Sequence, residues 1–390
     1  MGYTPEEVLQ YIEEEDVRFI RLAFRDAYGT QKNVAVLPGE VRKAFEYGTP
    51  VLARDIPGFS ESGCATLYLR PDPDTLTVLP WRSDSGEVVR MFCDVCTPEG
   101  EVYPSDTRGI LRKAVQKAAE AGIEFRFGTE SEFYLFRKDE EGNPTRIPYD
   151  QAGYLDIAPE DRCENVRREI SQTIERMGLT PERSFHERGP GQNEIAFHYA
   201  TPLKAADQFT TFKMVVRTTA DRYGLTADFS PMPLPGCPGN GFHINLYARN
   251  REGEELGLQA AAGILEKIRD ITLFLNPTDS SYARFGNSTA PDRVNWSSEG
   301  RDELMHIDTF RGRIRTELRS PDASCNPYLV YTFLIYAGLL GIERGLTPEE
   351  GGDAGGMPLP SSRQEAARIA WNSSFVRGIL PDELLKVYCG

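Results

Sequence analysis

The chain has no run of about 18 apolar residues, the minimum for a membrane-spanning helix, so no transmembrane segment and no membrane partner is expected. It is short of positive charge. Its 44 Lys and Arg face 59 Asp and Glu, for a formal net charge of -15. That balance argues against nucleic acid or an anionic membrane surface, which need a basic footprint. Histidine is scarce, with four in 390 residues, so no histidine-rich metal site and no Ser/His/Asp or Cys/His order can be read. The seven cysteines have no framework spacing, which reads as reduced thiols in a cytoplasmic protein. Cys93-Asp-Val-Cys96 is formally CxxC, but it lies inside the apolar strand pattern Val88 to Cys96 and has no companion pair at zinc spacing. It is expected to be core. GxxxxGK[ST], a strand-borne GxGxxG and GxSxG are all missing, which argues against P-loop, Rossmann and nucleophile-elbow chemistry. The opening MGYTPEEVLQYIEEED is acidic and amphipathic, unlike a signal peptide.

Composition is otherwise ordinary for a globular protein, at 40% hydrophobic and 26% charged. The length favours two domains, read as 1–100 and 101–390. In the first, Val17 to Phe24, Asn33 to Val36, Leu76 to Leu79 and Val88 to Val95 read as strands, and Pro38 to Tyr47 as a short helix. A helix capped by Ser105 or Asp106 follows. Beyond it, strands are expected at 124–136, 182–187, 193–199, 225–229, 241–248 and 313–319. Helices are expected near 162–178, 203–223, 257–274, 326–344 and 363–375, with Gly351 to Ser362 as a loop.

Polar groups concentrate on strand faces. Side chains alternate along a strand, so Glu130 and Glu132 share a face opposite Phe125, Phe127, Phe133 and Leu135. His243 shares a face with Asn245, and Arg315 with Glu317 and Arg319. Adjacent carboxylates repel unless a cation or an arginine lies between them. Glu187 and Glu194 flank a loop with Gly189, Pro190 and Gly191 and can converge on one ion; hard divalent cations favour such oxygen ligands. Each group also has a plainer reading: a solvated strand face, a solvated loop, a hydrogen-bonded structural histidine, or an ion-paired strand of little energetic weight. Taken together, carboxylates, an imidazole and arginines on one surface suit cations held beside a phosphoryl group.

In this order, the segments Phe-Gly-Thr-Glu-Ser-Glu-Phe-Tyr-Leu-Phe136, Ala-Gly-Tyr154, His-Glu-Arg-Gly-Pro-Gly-Gln-Asn-Glu194, Gly-Asn-Gly-Phe-His243, Asn-Pro-Thr-Asp-Ser-Ser-Tyr-Ala-Arg284 and Glu-Leu-Arg-Ser-Pro-Asp-Ala-Ser-Cys-Asn-Pro-Tyr328 resemble the glutamine synthetase family over nearly the whole chain. The resemblance implies an α+β fold. A small β-grasp-like N-terminal domain would join a larger catalytic domain whose curved antiparallel sheet is flanked by helices. It implies a homo-oligomeric ring, usually a dodecamer, with active sites between subunits. It also implies an ATP- and Mg2+- (or Mn2+-) dependent ligase that acts on glutamate and ammonia or a small amine. By motif position, Glu132, Glu187 and Glu194 would ligate one ion, and Glu130, His243 and Glu317 the other. Arg284 and Arg319 would anchor carboxylates and phosphate, with Gly239 and Arg301 also at the substrate. Asp55 and Tyr154 would belong to the ammonium site.

The departures concern the amine. Where the family carries a flap glutamate that accepts the ammonium proton, this chain has Thr289, and Thr66 stands near the place of a second acid. Asn245 replaces a second histidine, and His306 a phosphate-contacting arginine. Less negative charge weakens attraction for NH4+ and leaves room for a larger amine. The alternative is a catalytically weak or inactive ring-forming scaffold or nitrogen sensor.

Overall fold

The computed structural model describes residues 2–60, 63–81, 86–287, 290–300, 302–310, 313–348 and 356–390. These divide into two compact units. One is Met1–Lys113 with Arg176–Gly178 and Leu380–Val387. The other is Ala114–Glu175, Leu179–Ile379 and Tyr388–Gly390.

The first unit opens with the helix Pro5–Glu14. Thr4 caps it, Glu7 returns the bond to the Thr4 backbone, and Pro5 sits where its missing N–H costs nothing. The strands are β1 (Val17–Arg25), β2 (Gln31–Val36), β3 (Thr49–Leu52), β4 (Thr66–Pro71), β5 (Thr77–Val78) and β6 (Glu87–Cys96). They run β2-β1-β6-β4-β3, with β5 paired to β6. β1 and β6 are parallel, and β4 is antiparallel to β6. The run through β6 is apolar because this strand is central and covered on both faces, Cys93 and Cys96 included. The cysteine pair is core, as expected. At the start of the helix Thr107–Glu120, the Asp106 carboxylate accepts the Gly109 N–H at 3.1 Å and so is the cap.

In the second unit the strands are β7 (Ile123–Lys138), β8 (Pro144–Pro148), β9 (Pro181–His186), β10 (Gln192–Ala200), β11 (Leu225–Asp228), β12 (Phe242–Asn250), β13 (Trp296–Ser297), β14 (Met305–Phe310) and β15 (Arg313–Leu318). Their order is β13-β14-β15-β12-β7-β10-β9, with β8 and β11 added along β7. All pairs are antiparallel except β13 with β14. One face carries the aromatic positions. Phe127 stacks on Tyr331 of the helix Pro327–Glu343 with ring centroids 4.4 Å apart. Phe133 and Phe197 meet Phe212 of the helix Pro202–Arg222 edge-on. With helices over this face, the alternate side chains of β7, β10, β12 and β15 form the opposite one. The expected α+β architecture is present.

Candidate active site

Cross-strand register converts the period-two alternation into a two-dimensional patch. Glu130 of β7 lies opposite His243 of β12 and Ala196 of β10, and Ala196 lies opposite Arg183 of β9. Glu132 faces Glu194 across β7 and β10. On the other side of Glu130, Gly128, Asn245, Glu317 and His306 line up across β7, β12, β15 and β14. The i, i+2 spacing puts all three rows on the face away from the helices.

His243 is the hinge of the patch. Its Nδ1 is 3.5 Å from Glu317 Oε1 and 3.8 Å from Glu130 Oε2, while its Nε2 is 4.0 Å from Glu132 Oε1. Among the described residues, Glu130, His243 and Glu317 form one buried group with ligand atoms within 4.8 Å of one another, and Glu132, Glu194 and His243 form a second. The histidine therefore serves both groups. Glu187 stands just outside the tight second group, its Oε2 accepting the Arg188 N–H at 2.9 Å. Gly241 is what permits this closeness. A Cβ there would meet His243 Nε2 at 2.6 Å, whereas its bare N–H donates to Glu132 Oε2 at 2.8 Å.

The electrostatics fit a divalent cation. Burial, then the charges of Glu130, Glu132 and Glu187, push the Glu194 carboxyl well up, and its buried Oε1 has no hydrogen-bond partner. Burial and the Glu132 charge raise Glu187 to about 7. Glu130 differs. Burial pushes it up, but the His243 imidazole, the Arg183 guanidinium and Asn245 outweigh that and hold it at about 2. Buried carboxylates, one with an oxygen that accepts no hydrogen bond, plus one imidazole, make an oxygen-rich donor set of the kind Mg2+ and Mn2+ take.

The remaining expected residues are placed as follows. Arg319 is buried and ion-paired with Glu317. Arg284 is fully buried, and its Nη2 donates to the carbonyls of Ser320 (2.6 Å) and Pro321 (2.7 Å). Gly239 packs so closely that a Cβ would lie 2.4 Å from the Pro231 carbonyl oxygen and 2.8 Å from the Arg284 stem. Tyr154 is exposed, edge-on to Phe185 at 5.8 Å, with the Arg188 guanidinium 5.9 Å from its ring centroid. His306 is buried, with Nδ1 2.8 Å from the Gly300 carbonyl oxygen, so that nitrogen carries a proton. Asn245 donates to Glu130 Oε1 at 3.2 Å. Asp55 belongs to the first unit, exposed on the turn Ala53–Asp55 beside Arg54, and Thr66 begins β4 there. Thr289, Arg301 and residues 351–355 of the expected loop lie outside the described residues.

Sequence reading missed Arg183, whose Nη2 is 2.7 Å from Glu130 Oε1. The expected strand at 182–187 already put Arg183 on the face of Glu187, which was the available signal. It also missed the brace under the Glu187–Glu194 loop. There Asp150 accepts from His186 Nε2 (3.0 Å) and the Gly191 N–H (2.9 Å), and Arg167 donates to Asn193 (2.7 Å) and Asp161.

Two family models match the chain, "Glutamine synthetase, beta-Grasp domain" over residues 16–98 and "Glutamine synthetase, catalytic domain" over 104–389. The glutamine synthetase of Clostridium saccharobutylicum is 40% identical over 360 residues, covering 89% of this chain and 81% of the relative. That of Methanosarcina mazei is 36% identical over 413 residues, covering 99% and 92%. A solved structure described as a GmaS/ADP complex superposes with a TM-score of 0.87 at 25% identity, covering 98% of this chain and 93% of that one. The cryo-EM structure of Plasmodium falciparum glutamine synthetase, 20% identical, shares the fold with a TM-score of 0.90 over 100% of this chain and 95% of its own.

Proposed function

Because the chain belongs to the glutamine synthetase family, we propose that it is an ATP-dependent ligase joining ammonia or a small organic amine to the γ-carboxylate of glutamate. The observation that carries the reading is the pair of buried ligand groups meeting at His243, with a Glu194 oxygen that accepts no hydrogen bond among them. Glu130, His243 and Glu317 would hold one divalent ion, and Glu132 and Glu194, with Glu187 beside them, the other. Such ions supply positive charge next to phosphoryl oxygens.

The chemistry follows from a poor electrophile. A glutamate γ-carboxylate oxygen attacks the terminal phosphorus of ATP, and ADP departs. The amine nitrogen then attacks the acyl carbon, and phosphate leaves with the carbon–oxygen bonding pair. A nearby carboxylate takes the amine proton. Arg284 and Arg319 would orient the carboxylates and the phosphate, and close-packed Gly239 would let backbone approach the amino acid. Asp55, donated by a neighbouring subunit of a ring, and Tyr154 would shape the amine pocket. The structurally similar GmaS was solved as a complex with ADP, which supports a nucleotide in this fold. Thr289 and Thr66, in place of acids in the family pattern, favour an amine larger than ammonia.

The test is phosphate release from ATP with glutamate, Mg2+ and a panel of amines that includes ammonia. Turnover that needs glutamate, metal and one amine of the panel is expected. No release with any amine, together with no ATP binding, would leave a non-catalytic ring protein. Turnover on ammonia at ordinary glutamine synthetase efficiency would remove the larger-amine reading.

A further inference from the structure

The carboxylate patch already contains a cation of its own. Ala196 stands between Arg183 and Glu130 in the cross-strand row, and its small side chain lets the arginine reach across β10. Arg183 Nη2 lies 2.7 Å from Glu130 Oε1 and 3.8 Å from Glu194 Oε1. The same Glu130 oxygen accepts from Asn245, while Oε2 is turned toward His243 Nδ1. Glu130 is thus divided, one oxygen for fixed donors and one for the group it forms with His243 and Glu317. Glu194 Oε1 is buried and has no hydrogen bond, so the nearby guanidinium gives it charge without a proton. Unlike the carboxylates it serves, the Arg183 side chain is 42% exposed. It can withdraw into solvent without leaving a cavity.

We propose that Arg183 is a resident counter-ion shared by Glu130 and Glu194, holding the ligand cluster together before divalent ions arrive and lowering their affinity by competing for the same two carboxylates. This rests on the ion-binding part of the reading above. A positive charge on a ligand carboxylate opposes a second one. Removing it should therefore weaken the cluster without metal and strengthen metal binding.

The measurement is Mn2+ binding to the full-length protein, followed by the electron paramagnetic resonance of the free ion, with thermal melting in parallel. Arg183→Ala and the longer Arg183→Gln are each expected to bind Mn2+ about tenfold more tightly than the parent, the scale of one close charge pair. Arg183→Lys, which keeps the charge, should stay near the parent value. The neutral variants should melt lower without metal and gain more from Mn2+. Unchanged or weaker Mn2+ binding in both neutral variants overturns the proposal, as does Arg183→Lys binding as tightly as Arg183→Ala. If neither parent nor variants bind Mn2+, the ion-binding reading falls as well. If all bind equally, only the counter-ion role falls.

Discussion

Asp150 is the most heavily used carboxylate beneath the site. It is buried and accepts from His186, Gly191, the Arg162 N–H (3.0 Å) and the Cys163 thiol (3.2 Å). Burial pushes its pKa up, but His186, Cys163 and Gly191 outweigh that and bring it to about 2. His186 Nδ1 is 2.7 Å from the Glu187 carbonyl oxygen. A carbonyl only accepts, and so does ionised Asp150, so both ring nitrogens donate and the ring is an imidazolium. Asp150, Asp161, Cys163 and His186 bring their ligand atoms within 4.8 Å of one another, yet Arg167 and the imidazolium already supply the positive charge there. This is a brace that fixes the Glu187 backbone. Asp150→Asn breaks a buried pair whose other member can discharge, so a loss of about 2–3 kcal/mol in urea unfolding is expected, with weaker Mn2+ binding alongside. A change under about 0.5 kcal/mol would show that the brace bears no load. Glu130, Glu132, His243 and Glu317 were legible as polar positions two apart in otherwise apolar strands, and Glu187 and Glu194 as acids flanking one loop. The family resemblance also gave the group Glu130, His243 and Glu317, which the structure brings together; what no pattern showed is that His243 also stands beside Glu132 and Glu194, with Glu187 outside that tight group. Arg183 and Asp150 escaped for a related reason: which residues meet across strands depends on register, and a loop carboxylate has no periodicity to betray it.

At the scale of elements, the helices Gly257–Leu275 and Pro327–Glu343 pack backbone to backbone through Gly263 and Gly341. A Cβ on Gly263 would lie 2.1 Å from the Ala337 carbonyl oxygen, and one on Gly341 2.0 Å from that of Gln259. Neither neighbour is a flexible side-chain tip, so the helices must separate. Gly263→Ala would gain about 1 kcal/mol of helix propensity and lose about 1–3 kcal/mol or more to overpacking. The expected result is a net destabilisation of about 1–2 kcal/mol in chemical denaturation. Gly39→Ala is the control, with nothing within 4 Å of the added methyl, and should stay within about 0.5 kcal/mol. A stabilised Gly263→Ala would mean that the two helices are not held this closely. The apolar helix Pro327–Glu343 is buried along most of its length, and such long elements were placed within two residues by pattern alone. Several of the short ones were not. β14 alternates Met305, Ile307 and Thr309 with His306 and Asp308, too brief and too polar to separate from loop. β4 ends in Pro71, inside the Pro-rich run Arg70-Pro-Asp-Pro-Asp74. Both are held by their neighbours in the sheet rather than by local preference.

For the whole molecule, the excess of negative charge and the buried acids of the patch tie stability to protons and cations together. Glu187 and Glu194 titrate above the ordinary 4.5. The folded state therefore binds protons that the unfolded chain has released. The stability these groups contribute without metal is complete below about 4.5 and is lost as pH rises through about 7 for Glu187. A divalent ion reverses the dependence, because its ligands must be deprotonated, and it stabilises by about 2.7 kcal/mol at a hundred times its Kd. The rise in melting temperature produced by a fixed Mn2+ concentration should therefore be larger at about pH 8 than at about pH 6, and a chelator should abolish it at both. Without metal, raising the pH over that interval should lower the melting temperature through these two carboxyls. Glu187→Gln and Glu194→Gln in the same chain should flatten that metal-free slope and remove the pH-dependent part of the Mn2+ effect. A Mn2+-induced rise that does not change with pH would mean that the ion displaces no proton from the patch, and it would place the metal away from Glu187 and Glu194.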